Sequence, residues 1–529
     1  MSDGTQKQSV TKLLERGLFY LDCGLRDDAL RYLDEAASLD PQDMRVQQAL
    51  MRARPVQAAL AASTKTGRIH EIKPRQGDQG AAPESQHVAA HDDPMAQAFA
   101  RAYRARDWQG AVQAAQALIA SKPDDARAWA SLAQAQRRLA DFDGSLASSK
   151  RAIALTNGDP AYVQAQAKTL WEAGRYAAAE VAYTGLVAEL DEDSTIYADT
   201  RMSRGMVRMT MHGPAAGIDD YEWRWRAGEI ALPKVTQPYW DGAPAPGKRI
   251  LFFGEQGFGD AIQFARYIPL IAERCGRVVV PCKPAMKRLM QSLPSDPEIC
   301  DDVISRDAFD LYVPAMSAMR LLGADERSLP NQVPYLAAED SDLSRLRPLI
   351  EARQGLHVGI AWTGSPTNAN DWKRSIPPNS FTPLAQIPDV AMFSLQKLRD
   401  DTPETFRAAP GDVMDLSDEF SDFADTAAAI QCLDLVITAD TSVAHLAGAL
   451  GKPVWVLLPK VPDWRWMTER GDSPWYPTMR LYRQREFGDW PEVMARVAAD
   501  LQSLVSGRDA DSPAKERWRG LTRLLPWRR

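Results

Sequence analysis

The sequence is poor in the features that mark metal-binding, secreted or membrane proteins. Its 529 residues include only 5 cysteines, and none of them forms a C-x-x-C pair. This spacing argues against both a zinc site and a disulfide framework. The N-terminal stretch MSDGTQKQSV is polar, and no apolar run reaches the roughly 20 residues that span a bilayer. We therefore expect a cytoplasmic protein without a secretory signal or a transmembrane segment.

An excess of basic charge is also missing. The formal net charge is −7, whereas proteins that bind the phosphate backbone of nucleic acids present basic faces. We therefore expect no nucleic-acid partner. The length fits about three domains of roughly 100–200 residues each.

The first half of the chain repeats with a period of about 34 residues. Copies cover residues 10–43, 92–125, 126–159 and 160–193, and a weaker copy runs to about residue 221. Small residues such as Ala133, Ala152, Ala167 and Ala179 stand where two helices of one repeat must approach closely. The pattern predicts helical hairpins over 9–61 and a helical solenoid over 95–228, with an ordinary helical bundle as the alternative. The polar, Gly- and Pro-rich stretch 62–94 between them is typical of a flexible linker.

The second half changes to alternating strands and helices. After a Trp- and Pro-rich connector (229–247), an apolar strand at 250–253 runs into a glycine turn, and the same order recurs at 356–364. Two successive α/β regions, 248–350 and 355–508, predict a pair of Rossmann-like domains that face a cleft. The basic tail 509–529 is predicted to be a helix that packs across the domains, with docking on a membrane as the alternative.

The glycine turn GEQGFGDAIQFARYIP (254–269) is the first candidate site. Gly257 and Gly259 permit a tight turn and close approach of a ligand to the backbone. Asp260, at the start of the following helix, has two interpretations: a helix cap, or a general base that takes a proton from an acceptor hydroxyl. The spacing is not the G-x-G-x-x-G of dinucleotide sites, and no G-K-S/T follows to make a P-loop.

The second candidate site is the segment 434–459, where a strand ends at Asp440. Thr441 and Ser442 are good helix N-caps, and the free N–H groups of such a helix start bind phosphate. His445 lies one turn into the helix, where it contacts either a ligand oxygen or only the surrounding core.

The third candidate site follows the strand at 356–361. The loop WTGSPTNANDWKRSIPP (362–378) carries the cations Lys373 and Arg374, which suit phosphate charge or else form a solvated surface pair. Gln396 and Lys397, at the end of the next strand, are weaker candidates for contacts to a base or ribose. No Asp-x-Asp pair stands at a strand end, so no metal and no other cofactor is expected.

These motifs, in this order, resemble the bacterial heptosyltransferase-type glycosyltransferases, and the whole chain resembles the branch of that group that is fused to tetratricopeptide (TPR) repeats. The resemblance covers about 248–508 and implies the two-Rossmann GT-B fold. It implies that Asp260 of G-F-G-D is the catalytic base and that the segment from Asp440 to His445 contacts the phosphates and sugar of the donor. Ser442 replaces the glycine of the family's D-T-G-x-x-H, and Arg374 replaces its phosphate-binding lysine.

The arrangement is also similar to that of O-GlcNAc transferases and of bacterial flagellin glycosyltransferases. It implies an inverting, metal-independent enzyme that moves a sugar from a nucleotide sugar, for example an activated nonulosonic acid, to a Ser or Thr hydroxyl of a protein held by the repeats. Flagellin is the leading candidate for that acceptor. A non-catalytic adaptor or secretion chaperone with a relic GT-B region, and a lipopolysaccharide glycosyltransferase, remain as alternatives.

Overall fold

The computed structural model describes residues 93–227, 235–301, 308–365, 368, 370–398, 402–407 and 411–509, and five helical residues nearer the N-terminus: Leu33, Ala36, Ala37, Leu39 and Val46. The chain divides into two compact units, Met1–Lys73 and Pro74–Arg529. Leu33, Ala36 and Val46 are buried within the first unit. Apart from these residues, the predicted first hairpins (9–61), the predicted linker up to residue 92 and the tail beyond residue 509 lie outside the described residues, and the predicted domain boundaries stay predictions.

Helical hairpins occupy the second unit from residue 94 to residue 212. The helices are α1 (Pro94–Arg104), α2 (Trp108–Ser121), α3 (Ala126–Arg138), α4 (Phe142–Leu155), α5 (Pro160–Glu172), α6 (Tyr176–Glu189) and α7 (Thr195–His212). Their starts follow from the sequence, because most are preceded by a side chain that accepts a hydrogen bond from the first turn. These N-cap residues are Asp93, Asp107, Asp125, Asp141, Asp159 and Ser194.

The small residues expected between paired helices are buried. Ala133, Ala152, Ala167 and Ala179 all lie in the interior, where the absence of a longer side chain lets neighbouring helices pack closely. Two short helices, α8 (Ile218–Tyr221) and α9 (Arg224–Ala227), follow α7. The prediction of a TPR-like helical region is confirmed.

A first parallel sheet, with its helices, forms the first lobe. Its strands are β1 (Ala245–Phe253), β2 (Cys275–Pro281), β3 (Glu298–Cys300) and β4 (Leu311–Pro314), in the order β3-β2-β1-β4. The helices are α10 (Phe258–Phe264), α11 (Ile268–Ala272), α12 (Lys287–Gln291), α13 (Ala315–Leu322) and α14 (Asp340–Glu351).

A second parallel sheet, with its own helices, forms the second lobe. Its strands are β5 (Leu356–Ala361), β6 (Val390–Ser394), β7 (Val413–Asp415), β8 (Leu435–Ala439), β9 (Val454–Leu458) and β10 (Met479–Arg483). The helices are α15 (Asp371–Arg374), α16 (Thr382–Ala385), α17 (Phe423–Cys432), α18 (Ser442–Ala449) and α19 (Trp490–Asp509). The order β10-β9-β8-β5-β6-β7 is the doubly wound Rossmann order, which reverses between β5 and β8. The predicted fold class, a helical repeat region followed by a GT-B pair of Rossmann-like lobes, is confirmed.

One buried apolar core runs through both lobes and reaches the repeats. It includes Ile250 of β1, Val436 of β8, Trp466 after β9 and Met209 of α7. The opposite face of the second sheet packs on α19, for example through Val493 and Leu501. The last repeat helix therefore shares its packing with the α/β half.

Candidate active site

Three loops that could form an active site leave the carboxyl ends of parallel strands, which is where open α/β sheets bind ligands. In the first lobe, β1 runs through the glycine turn into α10. In the second lobe, the loop 362–378 follows β5, and Asp440 and Thr441 connect β8 to α18. The second-lobe loops therefore start from the two strands between which the strand order reverses.

The glycine turn packs directly against the start of α18. A Cβ atom on Gly259 would lie 3.0 Å from Cδ2 of His445 and 3.6 Å from Cα of Ser442. A side chain at position 259 would have to push the His445 ring aside, so glycine here allows the two lobes to pack closely. The structure thus brings the first and second candidate sites together.

Asp260 lies in the first turn of α10 and is largely buried. One carboxylate oxygen accepts a hydrogen bond from the backbone N–H of Gly257 over 2.9 Å. The other oxygen forms an ion pair with the guanidinium of Arg465 in the second lobe. Asp260 is therefore not the N-cap, which is Gly257, but the third helical residue, whose side chain reaches back to the N-cap backbone. It also lies at the junction of the lobes.

Arg465 is a site residue that the sequence analysis missed. It donates to Gln263 of α10 and to Asp463, both over 2.8 Å, in addition to its contact with Asp260. Burial opposes the charge, but Asp463 and Asp260 raise the pKa of Arg465 above its usual value. The segment Trp-Arg-Trp that contains it lies outside the three candidate sites, and only the fold identifies its partner Asp260, which lies 205 positions earlier in the chain.

The start of α18 provides features that suit an anion. Thr441 is the N-cap, and its hydroxyl accepts from the backbone N–H of Val443 over 3.3 Å. Arg374 donates to the backbone carbonyl of Asp440 over 2.9 Å, which places its guanidinium beside the helix start. Ser442 is the first residue of the helix. A cation and a helix N-terminus at one place both attract phosphate.

Asp440 has an unusual environment. Burial raises the pKa of its carboxyl group to about 6, although Arg374 acts in the opposite direction.

His445 is buried too, since only 5% of its surface is exposed. Its Nδ1 lies 3.0 Å from the Tyr476 hydroxyl, and its ring stacks on Trp466. Burial, followed by the nearby arginine charges, lowers the pKa of His445 well below its usual value, so the imidazole is neutral at physiological pH.

The remaining predicted donor-binding residues have their polar atoms bound elsewhere in the protein. Lys373 does not follow Arg374 toward Asp440, because its amine lies 3.3 Å from Glu172 of the repeats. Gln396 accepts from the backbone N–H groups of both Trp362 and Thr363, each over 3.0 Å, and thereby holds the loop after β5. Lys397 donates to the carbonyls of Ser417 and Phe420.

Among the described residues, no cluster of three or more His, Cys, Asp or Glu side chains has the geometry to hold a metal ion. The described helices include none that combines the length and the apolar character needed to cross a bilayer.

The chain is similar to several known proteins at low identity. Protein FlbA of Caulobacter vibrioides is 22% identical over 426 residues, which cover 75% of this chain and 70% of that protein. The family 9 glycosyl transferase of Veillonella parvula is 10% identical, with a TM-score of 0.36, over 46% of this chain and 88% of that chain. The O-GlcNAc transferase of Thermobaculum terrenum is 13% identical, with a TM-score of 0.29, over 84% of this chain and 98% of that chain. No protein-family model matches. By its sheet order and its repeats, the chain combines a TPR-like helical region with a glycosyltransferase-like GT-B fold.

Proposed function

We propose that the protein is an inverting glycosyltransferase that moves a sugar from a nucleotide-activated donor to a hydroxyl group of a protein. The observation that carries this proposal is the contact between the glycine turn of one Rossmann-like lobe and the helix start of the other. Gly259, which precedes Asp260, packs against the start of α18, and Arg374 donates to the carbonyl of Asp440 just before that helix start. Transfer between a nucleotide sugar and a hydroxyl needs a base and a phosphate-binding group near one another.

The donor phosphates bind at the start of α18. The N–H groups after Thr441 and the guanidinium of Arg374 stabilise the charge that grows on the leaving phosphate. Asp260 takes the proton of the acceptor hydroxyl while that oxygen attacks the anomeric carbon, which inverts the configuration. Since helix dipole and cation supply the positive charge, transfer continues in EDTA.

The acceptor is a protein segment that lies along the repeats. Stacked helical hairpins form extended surfaces that suit an extended or helical segment of a partner protein better than a lipid. Flagellin, carrying the acceptor Ser or Thr, is the leading candidate. The argument for a protein acceptor rests on architecture alone.

The proposal is tested by donor and acceptor assays on the full chain. UDP, CMP, GDP and ADP sugars are first screened for an increase in Tm. Any nucleotide sugar that binds is then incubated with purified flagellin in EDTA, and intact mass is measured. A mass increase of one sugar residue supports the proposal. No Tm shift with any nucleotide sugar rejects the nucleotide-sugar site, whereas binding without a mass shift rejects flagellin as the acceptor.

A second candidate is a non-catalytic adaptor, in which the repeats hold a client and the α/β half is a relic. The specific observation in its favour is the continuous packing across the lobes, where His445, Trp466 and Trp475 are all buried. An adaptor of this kind predicts that no nucleotide sugar changes the Tm, although a client protein still binds.

A further inference from the structure

The repeats reach the active-site loops through two clusters of buried charge. In the first cluster, Glu172 at the end of α5 lies 3.0 Å from Arg137 of α3 and 3.3 Å from the amine of Lys373. Burial opposes ionisation of Glu172, but Arg137 and Lys373 overcome it and lower the pKa of the carboxyl group to about 2. Lys373 immediately precedes Arg374, so this cluster ties the repeats to the loop that carries the phosphate-binding cation.

The second cluster ties the end of the helical region to the glycine turn. Arg224 of α9 donates to both carboxylate oxygens of Glu255, over 2.8 and 3.1 Å. Both side chains are 0% exposed. Glu255 also accepts from the backbone N–H of Met316, in the first turn of α13. Gln256, the next residue of the turn, donates to the hydroxyl of Tyr221 in α8 over 3.3 Å.

These contacts leave little freedom to either loop. Removing one member of a buried ion pair leaves an uncompensated charge away from water, which is strongly unfavourable. If the loop around Lys373 moves away from the repeats, the Glu172–Lys373 contact breaks and Glu172 keeps only Arg137 as a partner. If the glycine turn moves away from α9, Arg224 separates from Glu255.

We propose that the repeats are a positioning element of the active site, in which the Glu172–Lys373 contact sets the loop that carries Arg374 and the Arg224–Glu255 contact sets the turn that carries Asp260. The roles of Arg374 and Asp260 rest on the proposed function, but the positioning itself does not. The repeats thus do more than hold an acceptor: they are needed for the shape of the site even when no acceptor protein is present.

The test is amide hydrogen exchange on the full chain without nucleotide. Lys373→Met removes one partner of Glu172 and leaves the Arg137 contact intact, so the variant folds. We expect exchange at least fivefold faster than wild type in peptides that contain Lys373, Ser375 and Ile376, whose amides are hydrogen-bonded in the native loop. Lys373→Arg keeps the ion pair and restores the wild-type rate.

Lys452→Met is the matched control. Its amine is also buried and donates to the carbonyl of Gln431, but it lies just before β9, at the opposite end of the sheet from the loops. This variant leaves exchange in the loop unchanged, whatever its effect on Tm. The proposal is overturned if amide exchange in the Lys373 loop of Lys373→Met is as slow as in wild type. It is also overturned if Lys373→Met and Lys452→Met accelerate that exchange equally.

The glycine turn has its own variant. Glu255→Gln weakens the contact with Arg224, and we expect faster exchange of the amides of Gly257 and Ala261 while the Lys373 loop stays protected. Acceleration in both loops would indicate general loosening and would contradict separate positioning. Because no nucleotide is added, these results do not depend on whether the protein transfers a sugar.

Discussion

At the scale of single residues, burial decides the charge state of Asp440. Its folded pKa of about 6 lies above the ordinary value of 3.8. The folded state therefore binds more protons than the unfolded state between about pH 4 and pH 6, so this group lowers stability as the pH rises through that window. The ionised carboxylate is the form that is poorly accommodated.

The variant Asp440→Asn tests this sign. We measure the free energy of unfolding of the variant and of wild type by urea unfolding at pH 4 and at pH 7. We expect the variant-minus-wild-type difference to be about 1–3 kcal/mol larger at pH 7 than at pH 4. Asp425→Asn is the control, and its difference from wild type should change little from pH 4 to pH 7, because the contribution of Asp425 is lost only as the pH falls below its ordinary pKa of 3.8. Although burial opposes it, hydrogen bonds from Ser421 and Asp422, together with Arg345, lower the pKa of Asp425, so that group stabilises the fold above its ordinary pKa. If the difference in free energy of unfolding between Asp440→Asn and wild type does not change with pH, the account is contradicted.

The contact between the lobes at Gly259 makes a second residue-scale prediction. Gly259→Ala puts a methyl group 3.0 Å from the ring of His445, whose side chain is itself buried and must shift to make room. We expect it to lower the free energy of unfolding by about 1–3 kcal/mol. Gly254→Ala, in the same turn but facing open space, should stay within about 0.5 kcal/mol of wild type. Equal effects of the two changes would mean that the lobes do not meet at this point.

Only part of the site could be predicted at this scale. Thr441 caps α18 as its motif predicted, because a strand–loop–helix unit is local in sequence, whereas phosphate binding by Arg374 stays a prediction. The contacts of Lys373 and Asp260 could not be predicted, because Glu172 and Arg465 are about 200 positions away in the chain. Neighbouring cations on a short helix point in different directions, and only the fold shows which one faces which partner.

At the scale of elements, the long apolar strands could be predicted and the short strands could not. The predicted strands at 250–253 and before Asp440 are buried, since β-branched and aromatic side chains fill both faces of a parallel sheet. The strands β3 and β7 are too short to show a pattern, and Glu298 and Asp415 interrupt their apolar character.

Gln396 gives the prediction for this scale, because it connects the end of β6 to the end of β5. Its side-chain oxygen accepts two backbone N–H groups, and a buried donor without a partner costs about 1–3 kcal/mol. Gln396→Met should therefore lower the free energy of unfolding by about 2–4 kcal/mol. Gln386→Met, at an exposed position just after α16, should change it by less than about 0.5 kcal/mol. Wild-type stability of Gln396→Met would return this side chain to the candidates for ligand contact.

At the scale of the whole molecule, long-range arginine contacts hold the lobes together. Arg266, just after α10, donates to the carbonyl of Trp475 in the second lobe over 2.6 Å and lies over the ring of Tyr476. Arg465 makes the reciprocal connection from the second lobe to α10. The sequence predicted two lobes because each has its own strand–helix pattern. It could not predict how tightly they join, since those contacts depend on side chains more than 200 positions apart.

The most direct measurement of the central claim compares turnover and donor binding in Asp260→Asn, with the nucleotide sugar identified by the Tm screen. The account predicts transfer at least about 100-fold slower than wild type, because the amide cannot take the proton of the acceptor. Donor Kd should stay within about twofold, since the groups that we propose to bind the donor phosphates are on the other lobe. Wild-type turnover in this variant would contradict the account, because the turn that meets α18 would then carry no base.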